Sequence, residues 1–313
     1  MKTIYLNQQS SKLPPSVATI GFFDGVHLGH RFLMEELRKE AAAESLLSMV
    51  ITFDRHPREV LGCDYQPKLL STLNEKLALL SQTGIDVCAV LSFSRELAAL
   101  SAREFMAQVL LQKLHVKKLF IGYDNRFGHN RAEGFDDYVR YGRELGIEVV
   151  QSPAFQIEDI NVSSSVVRAF VSEGEMAMAA RCLGQAYSLT GHVVDGFHEG
   201  RRLGFPTANI EVSDAHKLIP APGVYAVKVH TEQEPQALQA MMNIGTRPTY
   251  EGRHEQTLEV HIIGFSANLY GQQLTVSFIR RLRDEKKFES LEALRRQLLA
   301  DEKMVSEINN NQE

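Results

Sequence analysis

Ser16-Val-Ala-Thr-Ile-Gly-Phe-Phe-Asp-Gly-Val-His-Leu-Gly-His30 decides how the first half of this 313-residue chain folds. Ser16–Phe23 is apolar enough for a buried strand, and Arg31–Leu47 has the periodicity of an amphipathic helix. A strand that feeds a helix through a glycine turn is the opening of a crossover unit. The pattern repeats outward from it. Strands are expected at Ser48–Phe53, Asp86–Phe93, Lys117–Gly122 and Glu148–Gln151, and helices at Thr72–Ser81, Ala102–Gln112 and Glu133–Leu145. Alternation of this kind predicts an α/β fold, a parallel sheet with helices on its faces. Ligands then bind beyond the carboxyl ends of the strands.

The grammar changes after about residue 185. Leu189–Val194, Gly223–His230, Gln239–Ile244, Thr257–Ile263 and Gln273–Phe278 are short apolar or alternating runs separated by Gly, Pro and Asn. They predict an antiparallel barrel or sandwich, closed by a polar-faced helix at Ser290–Ile308 and a frayed tail. A helix at Ser164–Ser172 precedes the change, so the expected division is residues 1–184 and 185–313. No internal repeat relates the halves.

Composition narrows the function. Lys plus Arg total 34 against 39 Asp plus Glu, a net charge of −5. Before residue 185 there are 20 basic and 22 acidic residues, after it 14 and 17. A nucleic-acid surface would show a basic excess and a membrane-surface helix a basic amphipathic stretch; the sequence has neither. Cys63, Cys88 and Cys182 are odd in number and far apart, which suits a reducing compartment and makes no disulfide framework. The start lacks an apolar core of signal-peptide length, and no run approaches the roughly 18 apolar residues of a membrane helix. A cytoplasmic protein, a monomer or weak homo-oligomer, is expected.

Within Gly21–His30, Gly25 and Gly29 allow close backbone approach, and the helix amino end offers free N–H groups to an anion. His27 and His30 would face the same anion, donating to phosphate oxygens and stabilising charge at a phosphorus under attack. A lone histidine here would be read as an ordinary residue near a helix cap; the pair in this turn points to chemistry. No Cys or third His stands at zinc-ligand spacing. Val162-Ser-Ser-Ser-Val-Val-Arg168 places Ser163, Ser164 and Ser165 at a helix start, able to cap it or to hold phosphates, with Arg168 as a forked cation. In the second half, Thr207 and Asn209 are oxygen donors on one side of an extended segment, suited to Mg²⁺ carried by ATP. Glu259 lies in an apolar strand, where it is either an outward solvated residue or a paired, functional carboxylate.

The His-x-Gly-His run resembles the nucleotidylyltransferase superfamily, and the serine turn with Arg168 resembles that family's second motif. Thr52-Phe-Asp-Arg-His-Pro57 and Ile121-Gly-Tyr-Asp-Asn-Arg-Phe-Gly128 are similar to two further loops of the adenylylating module of bacterial FAD synthetases. Asn125 stands where that family usually has an aromatic, and Asn161 where a basic residue is common. Gly200-Arg-Arg-Leu-Gly-Phe-Pro-Thr-Ala-Asn-Ile210, Gly223-Val-Tyr225, Asn243-Ile-Gly-Thr-Arg-Pro-Thr249, Leu258-Glu-Val-His261, Leu269-Tyr-Gly271 and Ile279–Phe288 resemble the riboflavin kinase family, a six-stranded barrel with a terminal helix.

The resemblance spans residues 15–301 and implies a bifunctional enzyme. The carboxyl half would phosphorylate riboflavin to FMN; the amino half would transfer AMP from ATP to FMN, giving FAD and pyrophosphate. It implies that His27 and His30 act at the α-phosphorus, with Gly21, Phe22, Asp24, Gly29, the three serines and Arg168 around the nucleotide. His56, Pro57, Asp124, Asn125 and Phe127 would meet the flavin of FMN. In the kinase half, Gly200, Arg201, Gly204 and Pro206 would border ATP, and Thr207 and Asn209 would hold Mg²⁺. Glu259 would take the ribityl proton, while Arg280, Arg283 and Glu285 would cover the flavin, with Phe288 packed behind them. No P-loop occurs. Three rivals remain: one module retained only to bind flavin, a relative of aminoacyl-tRNA synthetases, and a non-catalytic flavin carrier.

Overall fold

The computed structural model describes residues 1–6, 13–62, 68–123, 125–129, 132–196, 200, 203–248 and 254–310. The chain divides into two compact units, Met1–Ser164 and Ser165–Glu313.

The first unit is a parallel six-stranded sheet. Its strands are β1 (Lys2–Tyr5), β2 (Ser16–Ile20), β3 (Leu47–Phe53), β4 (Val87–Leu91), β5 (Val116–Ile121) and β6 (Glu148–Gln151). Their order across the sheet is β1-β4-β3-β2-β5-β6, and every pairing is parallel. All five residues of β2 are buried, because both faces of the sheet are covered. Val17, Val50, Cys88 and Val90 face helices α1 (Leu28–Ala43) and α3 (Leu73–Ser81), which supply Leu33, Leu37 and Leu80. Ala18, Ile20, Met49, Ile51 and Ala89 face the opposite layer. That layer includes α4 (Arg95–Ala99), α5 (Ala102–Phe105), a π-helical turn over Met106–Leu111 and α6 (Phe135–Leu145).

Starting from β2 the chain builds outward to β3 and β4, then returns to lay β5 on the other side of β2. The crevice between the carboxyl ends of β2 and β5 is therefore the topological switch point, where open α/β sheets bind ligands. The Gly21–His30 turn follows one of these strands and the Gly122–Phe127 loop follows the other.

Two differences from the sequence reading lie at this point. The strand ends at Ile20, not Phe23, because Phe23 turns left-handed (φ 54°), followed by Gly25 (φ 74°) and Val26 (φ 42°). Helix α1 starts at Leu28, three residues before the expected Arg31, because His27 caps it: His27 Nδ1 accepts the His30 N–H at 3.3 Å. Edge strand β1, four largely exposed residues, has too little pattern to be read from sequence.

The second unit opens with α7 (Ser164–Glu173) and α8 (Met176–Leu183), the latter packed on the barrel strand β14. The barrel comprises β9 (Ser188–Val194), β10 (Ala208–Glu211), β11 (Gly223–Thr231), β12 (Glu234–Pro248), β13 (His254–Ile262) and β14 (Gln273–Arg283). It closes in the order β10-β13-β12-β11-β14-β9, with antiparallel pairing throughout. The barrel alternative, rather than the sandwich, is the observed one. Strand β10 is the sixth, too short to have stood out. Helix α9 (Leu291–Asn310) lies on β11 and β12 and buries Val305 against Phe205, Ala226 and Met241. A hairpin of β7 (Gln156–Ile157) and β8 (Ile160–Asn161) precedes α7.

One charged cluster ties α1 to the sheet. Lys118 of β5 is 5% exposed, and its ammonium meets Glu40 at 2.6 Å, Glu148 at 3.2 Å and also Glu44. Burial alone would lower its pKa, but the three carboxylates outweigh that and raise it. Replacing Lys118 with Met leaves three carboxylates crowded without their cation. The melting temperature of the first unit should fall by roughly 4 °C, with the deficit shrinking as pH drops below the carboxylate range, as read by calorimetry against the parent chain.

Candidate active sites

At the switch point, a buried carboxylate builds the turn. Asp24 is 3% exposed and accepts the backbone N–H groups of Leu70 and Ser71, each at 3.0 Å, and the Ser71 hydroxyl at 3.3 Å. Ser71 Oγ in turn accepts the Gly25 N–H at 2.9 Å. Ser164 Oγ donates to the Asp24 carbonyl at 3.0 Å, so the serine turn is joined to the His-x-Gly-His turn. Sequence reasoning put Asp24 beside the nucleotide. Its carboxylate holds the 70–71 segment against the turn, a role invisible in sequence because the partner lies 46 residues away.

This frame presents the two histidines together. Their rings stack with centroids 3.5 Å apart and planes 21° from parallel, and Phe23 meets the edge of His30. His30 Nδ1 is buried and has no hydrogen-bond partner. Burial, then the neighbouring His27 and then Lys76 hold the His30 pKa well below the imidazole range. Gly29 is needed because a Cβ there would lie 3.2 Å from the His27 ring and 3.4 Å from the Val162 carbonyl. The arrangement sets two stacked imidazoles at a helix amino end, His30 held in its neutral form, suited to donating to phosphate oxygens.

The surrounding loops carry the remaining expected residues. His56 caps α2 (Pro57–Val60), accepting the Arg58 N–H at 3.2 Å, and meets the Phe22 ring edge-on at 4.8 Å. Asn125, the departure from the family pattern, donates its side-chain amide to the Ile20 carbonyl and so bridges the ends of β5 and β2 across the crevice. Phe127 stacks on Tyr138 at 4.3 Å within the core layer, so it supports its loop from below. Asn161 accepts from Gln156 at 2.6 Å within the β7–β8 hairpin. Arg168 donates to Ser165 one turn away on α7. Asp124 and Arg201 lie outside the described residues.

In the barrel, register assembles the second site. Asn209 of β10 stands directly opposite Glu259 of β13, and Glu259 directly opposite Asn243 of β12. Directly paired residues project to the same face, so one amide, one carboxylate and a second amide form a row. Gly196 and Gly200 pass close to it. A Cβ at Gly196 would fall 2.0 Å from Asn209 Nδ2, and one at Gly200 2.2 Å from the Phe205 carbonyl and 3.4 Å from Thr207 Oγ1. Gly204 takes the left-handed φ of 84° before Phe205-Pro206. His261, 8% exposed, fixes this segment through Nδ1 and the Pro206 carbonyl at 2.8 Å. Neutral oxygen donors beside one carboxylate fit Mg²⁺ that arrives on ATP phosphates.

Of the residues expected to cover the flavin, Arg280 is exposed on β14, and Glu285 rests against Gly245, where a Cβ would be 2.6 Å from its Oε1. Arg283 has a structural duty. It makes a forked pair with Asp301 of α9, at 3.0 and 3.1 Å through Nε and 2.7 Å through Nη2. Phe288 lies near the cations of Arg283 and Lys286, at 5.8 and 5.2 Å.

One cluster gathers two imidazoles at a helix amino end, and the other sets a carboxylate between two amides across three strands. Fold and sites therefore define a class, a two-module enzyme that transfers phosphate-bearing groups. Residues 9–166 match the FAD synthetase family and residues 183–309 the riboflavin kinase family. The bifunctional riboflavin kinase/FMN adenylyltransferase of Escherichia coli K12 is 38% identical over 91% of this chain and 90% of its own. That of Bacillus subtilis is 33% identical over 96% of each. A crystal structure from Streptococcus pneumoniae, described as a macrolide-efflux protein, superposes with a TM-score of 0.88 at 31% identity, covering 98% of this chain and 99% of that one. No helix among the described residues is long and apolar enough to cross a membrane.

The chain belongs to the bifunctional riboflavin kinase/FMN adenylyltransferase family. It phosphorylates riboflavin to FMN with its barrel unit and adenylylates FMN to FAD with its sheet unit, releasing pyrophosphate.

Two outcomes follow from this geometry. Asp301 is 0% exposed, so Asp301→Ala strands the Arg283 guanidinium and should cost about 3 kcal/mol in chemical denaturation, whereas adding Arg283→Leu should recover most of it. Below about pH 6.5 an unfolded His30 takes up a proton that the folded one refuses, so stability is lost on acidification. His30→Ala should flatten that part of the melting-temperature profile.

Proposed function

We propose the following division of labour among the side chains. In the sheet unit, the FMN phosphate attacks the α-phosphorus of ATP while His27 and His30 donate to the oxygens that gain charge, and pyrophosphate leaves. The step requires positioning and charge neutralisation and no covalent enzyme intermediate. Gly21, Phe22, Gly29 and Ser163–Ser165 border the nucleotide, with Arg168 as a phosphate cation. His56, Pro57, Asp124 and Asn125 face the flavin, and Asp24 and Phe127 hold the loops that do so.

In the barrel unit, Glu259 accepts the proton of the ribityl terminal hydroxyl as that oxygen attacks the γ-phosphorus of ATP. One observation carries this assignment: the cross-strand register that sets Asn209 beside Glu259. Thr207 and Asn209 would hold Mg²⁺, which when bound neutralises phosphate charge. Gly200, Arg201, Gly204 and Pro206 border ATP, and Arg280, Glu285 and the backbone around Arg283 cover the flavin. The functional boundary is placed between residues 184 and 185, so that the serine turn opening α7 stays with the activity it serves. The protein is cytoplasmic, a monomer or weak homo-oligomer, and has no nucleic-acid partner; its even charge supports this.

Chromatography of the flavins after incubation with ATP and MgCl₂, starting once from riboflavin and once from FMN, tests the assignment. His30→Ala should lower FAD formation by about 10²–10³-fold and spare FMN formation. Glu259→Gln should lower FMN formation by about 10²–10⁴-fold and spare FAD formation from added FMN. Loss of the other activity in either variant would overturn the allocation of roles.

A further inference from the structure

We propose that Lys76 is a positioning residue for adenylyl transfer, whose buried ammonium locks the His27–His30 turn to the loop that follows β3. The inference rests on the roles given to His27 and His30 above. Nothing in the sequence marks Lys76, a lysine in the middle of an amphipathic helix.

Helix α3 carries Lys76 beneath the carboxyl ends of β2 and β3. Its Nζ donates to the Phe22 carbonyl at 3.1 Å and to the Phe53 carbonyl at 2.9 Å. The Phe22 ring lies 4.0 Å from the ammonium, and the same ring meets His56 on its edge. Thr52 Oγ also donates to the Phe22 carbonyl, at 3.1 Å. One cation thus grips the residue two before Asp24 and the last residue of β3, three before His56. Those are the roots of the nucleotide turn and of a flavin loop.

Stability alone does not account for a charge at this position. Lys76 is 2% exposed, and its ammonium hydrogen-bonds to two backbone carbonyls rather than to a carboxylate. An ammonium without a counter-ion is costly to bury, and a methionine would fill the same channel. Burial lowers its pKa to about 8, against the pull of Asp24, Cys88 and Asp54. The Cys88 thiol nearby is pushed up to about 11, so it carries no compensating charge at neutral pH. Lys76 is therefore mostly charged at neutral pH. Its field reaches His30, where it adds to burial and to His27 in opposing protonation. Lys76 thereby helps keep His30 a neutral N–H donor while supplying a fixed positive charge near the crevice.

The test compares Lys76→Met, Lys76→Arg and His30→Ala in the full chain, following FAD formation from FMN and ATP across pH. Lys76→Met should lower kcat by about 10–100-fold with little change in KM for FMN, as expected for misplaced rather than missing contacts. Removing the cation raises the His30 pKa, so the acidic limb of the rate profile and the His30 imidazole NMR titration should both move to higher pH. Lys76→Arg should return both toward the parent values. Riboflavin phosphorylation should be unchanged, and Lys76→Met should melt no lower than the parent. Retention of kcat within about threefold, or a lost kcat with an unmoved acidic limb and NMR titration, would overturn the proposal. Should Lys76→Met melt lower, the His30 titration in the folded variant still decides. If His30→Ala alone leaves FAD formation intact, the histidine assignment fails and this inference falls with it.

Discussion

The sheet unit depends on a carboxylate placed out of water. Asp24 gives up solvation and recovers it from two backbone N–H groups and a hydroxyl, all from Leu70 and Ser71. That exchange fixes a turn in which three of four consecutive residues have positive φ, a conformation that neither Phe23 nor Val26 would choose alone. With the turn held, the stacked imidazoles and the capped helix need no further support from their own segment. Ser164 then reaches the carbonyl of the same residue, so the first and last motifs of the unit meet at one amino acid. A turn held in this way is preorganised: its strain is met during folding.

The barrel solves a similar problem by register. A one-residue slip of β13 against β10 would send Glu259 to the opposite face from Asn209. The pairing is pinned on both sides, by β12 through Asn243 and by the His261–Pro206 hydrogen bond at the turn before β10. Arg283 adds a further tie, between the last barrel strand and the terminal helix. Its guanidinium is spent on a fully buried aspartate of α9, while Arg280, three residues earlier on β14, is exposed.

Strand and helix alternation, the change to barrel grammar and the two histidines were legible because each is a local pattern in the chain. The pairing of Asn209 with Glu259 was not legible in the same way: the sequence marked Asn209 as an oxygen donor in an extended segment and Glu259 as a carboxylate in an apolar strand, and only the register sets them opposite one another. What escaped was either too short or too distant. Strands β1 and β10 have four residues each and little alternation of their own. The duty of Asp24 depends on Ser71, that of Arg283 on Asp301 and that of Asn125 on Ile20, and no periodicity links such pairs. Lys76 escaped for a subtler reason. A lysine within a helix reads as a solvated face, and only the carbonyls at the ends of β2 and β3 give it another meaning. Asn125 was the residue most open to misreading, since a departure from an aromatic looked like a loss and the structure gives it a contact across the crevice.

The closed order of the barrel sets when the second unit can form during synthesis. Strand β9 pairs with β10 and with β14, and β14 also pairs with β11, so the ring cannot shut until Arg283 has been made. The sheet unit has its last strand by Gln151. On the ribosome the adenylylating sheet can therefore assemble while β9 to β13 still wait for their closing strand, with long loops to order before the pairing rewards them. The enzyme for the second step of the pathway is thus structurally ready before the enzyme for the first.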